Sequence, residues 1–322
     1  MNLGRVTLAA ALSVFAVLSA QAQSWPTRPI RLLVPFVAGG SSDIVARSVA
    51  VRLQESLGQT VIVDNRPGAN GAIAGQLLAK ASPDGYTFMV GSIGVFAINV
   101  ALFKDLPYDP LRDYDLLTVA VRTPNVLVAS QKVAASNVKD LVGLLQKNPG
   151  KITFVSSGTG SSDHLSAELF WQRTSTTGIH VPYKGGAAAM ADMIGGQVDV
   201  SFQNLGAAAG HIKGGRLRAL AITGDKRAPQ FPDVPTMVEL GFSGFEVYSW
   251  QAFAAPRGLP KEIRSKLEGA VIAALKSPQL RQSMDELGFD VVANTGAQFE
   301  TFLKQEITRW RQVVQTANIK AD

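Results

Sequence analysis

The chain has 322 residues, 46% of them hydrophobic and 17% charged, which gives it enough apolar side chain for a large core and excludes a disordered polyelectrolyte. Thirty glycines and sixteen prolines lie near ordinary usage and follow no period, so collagen-like and low-complexity chains are excluded as well. The absence of cysteine removes disulfide scaffolds, thiol catalysis, iron–sulfur clusters and Cys-ligated zinc, while a net charge of +6 favours acidic ligands without naming one.

Met1 to Ala22 reads as a secretory signal. Arg5 supplies the positive start, Val6 to Leu18 is mostly apolar, and Ala20-Gln21-Ala22 is a small-x-small cleavage site. A membrane anchor would need roughly 20 apolar residues, and polar residues already begin at Ser19. No later run is long and apolar enough to span a bilayer, so the mature chain is expected to be periplasmic and soluble.

From there strands and helices alternate. Pro29 to Phe36 is a short apolar run that stops at Gly39-Gly40, and Ser42 to Leu57 carries Val45, Val49, Leu53 and Leu57 at helical spacing before Gly58. A strand is expected over Thr60 to Asp64, a turn over Arg66 to Gly71, a helix over Ala72 to Ala81 and a strand over Tyr86 to Ser92, with parallel βαβ packing. After the proline-rich Leu106 to Pro110 a second series begins. Its strands are Asn125–Ser130, Lys151–Ser157, Ile179–Tyr183, Val198–Gln203 and Leu217–Thr223, and its helices are Val138–Lys147, Ser162–Arg173 and Ala187–Ile194. Beyond an extended Tyr248 to Ala255 the chain turns helical over Lys261–Lys276 and Pro278–Leu287, and a last helix is opened by the capping box Thr295-x-x-Gln298. Two α/β lobes of similar size fit this order better than one sheet.

Gly40-Ser41-Ser42-Asp43 recurs as Gly160-Ser161-Ser162-Asp163, each copy between an apolar strand and an amphipathic helix. A helix start leaves backbone N–H groups unpaired and carries about half a positive charge, so such a turn can hold a carboxylate without a basic side chain. Ser and Asp are also ordinary helix caps. The pairing of one copy per lobe favours a shared anion site, beyond the carboxyl ends of the strands where α/β ligands bind. Anion contact falls to the Gly and Ser N–H groups, and Asp43 and Asp163 serve either as caps or as partners of a cationic ligand group. A nucleotide-phosphate loop would need Gly-Lys-Ser/Thr at the helix start, which neither turn has.

His180-Val-Pro-Tyr183-Lys184-Gly185-Gly186 is a third strand, glycine loop and helix. Lys184 is either a cleft cation or a solvated loop residue, and Tyr183 a cleft hydroxyl or a packing residue. The strand ending at Gln203 and Asn204 delivers two amides to the same edge.

Enzyme chemistry is thin. Ser157, Ser161, Asp163 and His164 crowd one segment, yet there is no G-x-S-x-G elbow, and a triad is built from distant segments. His164, His180 and His211 show no H-E-x-x-H spacing, so neither a metal nor another cofactor is expected. Lys213, Arg216 and Arg218 form the densest basic cluster, but without interleaved aromatics nucleic acid is not expected as a partner.

Many segments also match a known family. Trp25-Pro-x-Arg-Pro-Ile-Arg31, Val34-Pro-Phe36, Gly39-Gly40-x-x-Asp43-x-x-Ala46-Arg47, Val61-x-Val-x-Asn-Arg-Pro-Gly68, Pro83-Asp-Gly-Tyr-Thr87 and Leu106-Pro-Tyr-Asp-Pro110 stand in the first part of the chain. Asn148-Pro-Gly-Lys151, His180-Val-Pro-Tyr-Lys-Gly185, Gly195-Gly-Gln-Val-Asp199, Leu217-Arg-Ala-Leu-Ala221 and Pro232-Asp-Val-Pro-Thr236 follow. In these the chain resembles the Bug/TctC family, the extracytoplasmic solute receptors of tripartite tricarboxylate transporters. The resemblance implies a two-lobe α/β periplasmic-binding-protein fold of type II (Venus flytrap), a non-enzymatic monomer that binds a small organic carboxylate and presents it to a membrane permease. A receptor acting on a histidine kinase is the alternative partner, and a secreted serine hydrolase a remote one.

The resemblance implies a cleft lined by Phe36 and the turn of Gly39, Gly40, Ser41, Ser42 and Asp43, by Ser92, and by the turn of Ser157, Gly158, Thr159, Gly160, Ser161 and Ser162. Tyr183, Lys184, Gly185, Gln203 and Asn204 complete it. Lobe 1 is expected to comprise residues 23–124 and 248–322, and lobe 2 residues 125–247, with crossings near Asn125 and Tyr248 as the hinge. Two positions depart from the family pattern. Ala38 replaces a common proline, and Gln203 stands where an acid is frequent, which weakens the case for an amino acid and favours a plain di- or tricarboxylate.

Overall fold

Short apolar strands that end at glycine or serine set the architecture of the computed structural model, which describes residues 25–316 and 319. The expected signal segment, residues 1–22, lies outside the described residues. The first group of strands is β1 (Ile30–Val34), β2 (Val61–Asn65) and β3 (Thr87–Ser92), with β1 parallel to both others. Helix α1 (Ser41–Leu57) follows β1, and α2 (Ala72–Ala79) follows β2. Beyond β3 the buried run Gly94–Ile98 forms a π-helical turn that leads into the short α3 (Asn99–Leu102).

The next strand, β4 (Tyr114–Ser130), has 17 residues and is shared between two sets of partners. Its first part, from Tyr114 to Pro124, runs antiparallel to β9 (Tyr248–Pro256), which also pairs with β3. From Asn125 onward it pairs antiparallel with β7 (Val200–Asn204) and β8 (Leu217–Ile222). Strand β5 (Thr153–Ser156) lies parallel to β7 and to β6 (Ile179–Pro182), giving the order β2-β1-β3-β9-β4-β7-β5-β6. The partner change falls at Pro124, whose missing N–H suits a point where one ladder ends. The parallel packing expected for the first series holds for β1 with β2 and β3; in the second group β5 is parallel to β6 and β7, while β4 runs antiparallel to β7 and β8, and β4 and β9 join the groups through antiparallel pairs.

Helices α4 (Val138–Lys147), α5 (Ser162–Thr174), α6 (Gly186–Gly195) and α7 (Leu205–Lys213) belong to the second group, and α8 (Lys261–Lys276), α9 (Pro278–Leu287), the two-residue β10 and α10 (Gly296–Thr316) close the chain. Alternation along the strands divides the core. In the first group one face packs Ile30, Leu32 and Val34 on α1 and α8, and the other packs Leu33 and Met89 with α2 and α10. In the second group Leu127, Val200 and Phe202 face α4 and α5, and Val126 and Val128 face α6 and α7. Helices thus cover both faces of each strand group. Among the described residues no helix is long and apolar enough to cross a membrane.

Candidate functional site

Where the carboxyl ends of β1, β3, β5 and β7 meet the start of β9, the chain forms a partly open cavity of about 40 Å³. It is lined by the heads of four helices: Gly40, Ser41 and Ser42 at α1, Ser161, Ser162 and Asp163 at α5, Gly186 at α6, and Asn204 with Ala207 at α7. Phe36, Ser92, Ile93, Ser157, Gln203, Ser249 and Gln251 complete the wall. The first N–H groups of a helix have no acceptor within it, and each helix end carries about half a positive charge, so the helix heads offer the cavity donors and partial positive charge although no Lys, Arg or His lines it; Asp163 is the one carboxyl on its wall. Close packing requires glycine at 186, where a Cβ would stand 2.5 Å from Gln203 Oε1 and 3.0 Å from Ser157 Oγ.

The two wall turns are tied together by side chains. Ser41 Oγ donates to Asn204 Oδ1 at 3.0 Å, Asn204 Nδ2 donates to Asn125 Oδ1 at 2.6 Å, and Asn125 Nδ2 donates to Ser166 Oγ at 3.1 Å. Ser42 Oγ donates to Gln251 Oε1 at 2.6 Å.

The two echoed aspartates differ in their surroundings. Asp43 turns back on its own loop, where Oδ2 accepts from Gly39 N–H and Arg47 Nε, both at 2.9 Å, and Oδ1 accepts from Asn65 Nδ2 at 3.0 Å. Burial alone would raise its pKa, but the bonds from Arg47, Gly39 and Asn65 outweigh it and hold the carboxyl below its ordinary value. Asp163 lines the cavity, with Oδ2 accepting from the N–H and hydroxyl of Ser157 and Oδ1 from Ser162 Oγ at 3.2 Å. Here burial dominates and pushes the carboxyl up.

Behind the Gly158–Gly160 turn the rings of His164 and His180 stack, with centroids 3.8 Å apart. Gly160 N–H donates to His164 Nδ1 at 3.0 Å, and His180 Nε2 meets Ser156 Oγ at 2.7 Å. Burial and then the His164 ring lower the His180 pKa to about 3, so His180 is neutral near pH 7. Ser157, Ser161 and His164 do not form a relay, because His164 Nδ1 is taken by Gly160 and Ser161 Oγ accepts from the His164 N–H.

The model of the tripartite tricarboxylate transporter family receptor matches residues 45–319. The chain belongs to that family. The receptor is 38% identical to protein BugT of Bordetella pertussis over 93% of this chain and 92% of that protein. Among solved structures it is similar to R. palustris Rpa4515 with adipate, at 37% identity and a TM-score of 0.89 over 92% of this chain and 99% of that one. It is also similar to the periplasmic binding protein BugD, at 34% identity and a TM-score of 0.89 over the same shares. The family consists of periplasmic solute-binding receptors and not of enzymes, and the receptor has their mixed α/β fold.

Of the receptor's expected cleft residues, the structure brings together Phe36, Gly40, Ser41, Ser42, Ser92, Ser157, Ser161, Ser162, Gln203 and Asn204. Gly39 and Asp43 stand behind the first turn as its internal brace. Gly158 and Gly160 shape the second turn at positive φ, with Thr159 between them, and all three lie outside the cavity wall. Gly185 packs against Val37 and Phe36. Tyr183 and Lys184 are also off the wall. The Tyr183 hydroxyl donates to Asp192 Oδ2 at 2.6 Å; burial, and then this bond, push its pKa up to about 12, and Lys184 is exposed on the loop.

Sequence reasoning left out Ile93, Gly186, Ala207, Ser249 and Gln251, and named Asp163 only as a cap or ligand partner. Ser249 and Gln251 carried a usable signal: two polar residues at period two in an otherwise apolar strand share one face.

Proposed function

We propose that this receptor is exported, captures a small organic carboxylate between its two lobes and delivers it to the membrane permease of a tripartite tricarboxylate-type transporter. The observation that carries the reading is the convergence of four helix N-termini and seven serines on one cavity without a basic side chain. That donor set suits a carboxylate, and charge-assisted bonds from backbone N–H groups are the strong kind. The adipate held by the similar R. palustris protein agrees in ligand class. The lobes are residues 23–124 with 248–322 and residues 125–247, hinged where β4 exchanges β9 for β7 and β8 beside Tyr248. Contacts to the helix heads of both lobes form together only when the lobes meet, so the ligand favours the closed form by its differential affinity.

Calorimetry on the purified exported protein tests this with a panel of small carboxylates that includes adipate. One ligand per chain, recovered unchanged after incubation, is expected. Consumption of the carboxylate would replace the receptor reading with an enzymatic one.

A further inference from the structure

The two copies of the Gly-Ser-Ser-Asp turn treat the same carboxyl in opposite ways. In the first copy Asp43 is neutralised by Arg47 and lies off the cavity wall. In the second, Ala167 stands at the position equivalent to Arg47, and Asp163, only 2% exposed, faces the cavity with Ser157 and Ser162 as its side-chain partners. Its Oδ2 already takes the N–H and hydroxyl of Ser157, so the protein's own carboxyl fills the anion cradle of that wall.

Gln203 adds a second acceptor beside it. Ser201 Oγ gives its single proton to Val155 O, so Gln203 Nε2 must donate to Ser201 Oγ, at 2.8 Å. Its Oε1 is thereby turned toward Gly186 and the cavity. The opposite wall presents donors: the N–H groups at the head of α1, the hydroxyls of Ser92 and Ser249, and the NH₂ of Gln251, whose Oε1 is taken by Ser42. A ligand spanning the cavity therefore meets donors alone at one end and, at the other, the heads of α5, α6 and α7 together with the acceptors of Asp163 and Gln203.

We propose that Asp163 makes the second wall a receiver of hydrogen-bond donors, so that the preferred ligand is a small carboxylate with one anionic end and a hydroxyl, amide or ammonium at the other. This rests on the carboxylate-binding reading of the cavity and narrows it. A dianion would bring its second carboxylate against Asp163 with no cation between them, whereas a donor completes the open lone pairs of Asp163 and Gln203. The acid that position 203 lacks is supplied by position 163, so the argument from Gln203 toward a plain di- or tricarboxylate is reversed.

The test is calorimetry at pH 7.5 with two series of matched length: adipate, 6-hydroxyhexanoate, adipamate and 6-aminohexanoate, and succinate, 4-hydroxybutanoate, succinamate and 4-aminobutanoate. In the unaltered protein at least one donor-ended monoanion should bind tenfold or more tighter than the dianion of its series. Asp163→Asn, nearly isosteric, should bring that ratio below threefold by strengthening dianion binding. A dianion that binds the unaltered protein as tightly as its donor-ended counterparts overturns the inference, as does a ratio that Asp163→Asn leaves unchanged. If the variant does not fold, the ranking in the unaltered protein decides. Failure of all eight compounds to bind would overturn the carboxylate reading and this inference together, whereas a dianion preference overturns this inference alone.

Discussion

Asp43 shows how one buried side chain can brace a cavity-lining turn while standing off the cavity wall. Its carboxylate pins Gly39 N–H, Arg47 and Asn65, so the left-handed Gly39 and the first turn of α1 stay in register with β2. Asp43→Asn removes the charge that Arg47 answers and should cost about 1.5–3 kcal/mol at pH 7, the range for a hydrogen bond to a charged group. Because the folded pKa lies below the unfolded one, this stabilisation is fully present above the unfolded value near 4 and fades as the pH falls through the folded value. Urea unfolding of both proteins at pH 7 and pH 3 checks it: the difference should shrink on acidification, and a difference that grows would remove Asp43 as the brace. The turn itself was legible, since glycine, serine and aspartate before an amphipathic run signal a helix start. The separate fates of Asp43 and Asp163 were not, because they depend on whether a cation stands one helical turn on and on which way the carboxyl rotates.

At the scale of elements, helices with four-residue apolar spacing and clear caps were read to within a residue or two: α4, α8 and α9 match their expected ranges. The capping box is present, with Thr295 Oγ1 accepting from Gln298 N–H and Gln298 Oε1 accepting from Thr295 N–H. The first half of β4 was missed because Leu116 to Val121 is buried almost throughout, which erases the period-two signal, and because Pro124 looks like a strand breaker. The pairing of β9 with β3 and β4 depends on contacts more than a hundred residues apart, which no local pattern carries. The same long-range logic fixes α10 on β9. Glu306, 8% exposed, accepts from Trp250 Nε1 at 2.7 Å and from Trp310 Nε1 at 3.1 Å, anchoring the strand that presents Ser249 and Gln251 to the cavity. Glu306→Ala leaves two buried indole N–H groups unpaired and should lower stability by about 2–4 kcal/mol, while Glu306→Gln keeps an acceptor and should recover most of it. Denaturant midpoints measure both, and equal losses in the two variants would show packing rather than hydrogen bonding to be the cause.

The whole molecule is seen with its walls together. Gly39 approaches Ala187, Gly158 lies against Asn70, and Gly185 packs on Val37, where a Cβ would stand 3.0 Å from Cγ2, so the two strand groups meet through glycines. About 40 Å³ inside is room for roughly three waters, given 10–15 Å³ for each. On the proposed function, a carboxylate larger than this is admitted when the walls part. Ser41 Oγ to Asn204 Oδ1 is a direct link between them, and Ser41→Ala removes it while keeping the backbone N–H that faces the cavity. One neutral hydrogen bond is worth about 0.5–1.5 kcal/mol net, which corresponds to a shift of roughly two- to thirteenfold toward the open form and at most the same loss of carboxylate affinity. Small-angle scattering should show the ligand-free Ser41→Ala protein with a larger radius of gyration than the unaltered protein, and saturation with the tightest carboxylate of the panel should bring both to one smaller value. A radius that ignores both the substitution and the ligand would mean that the walls do not move as lobes, and binding would then have to proceed through local opening of the Gly39 and Gly185 loops.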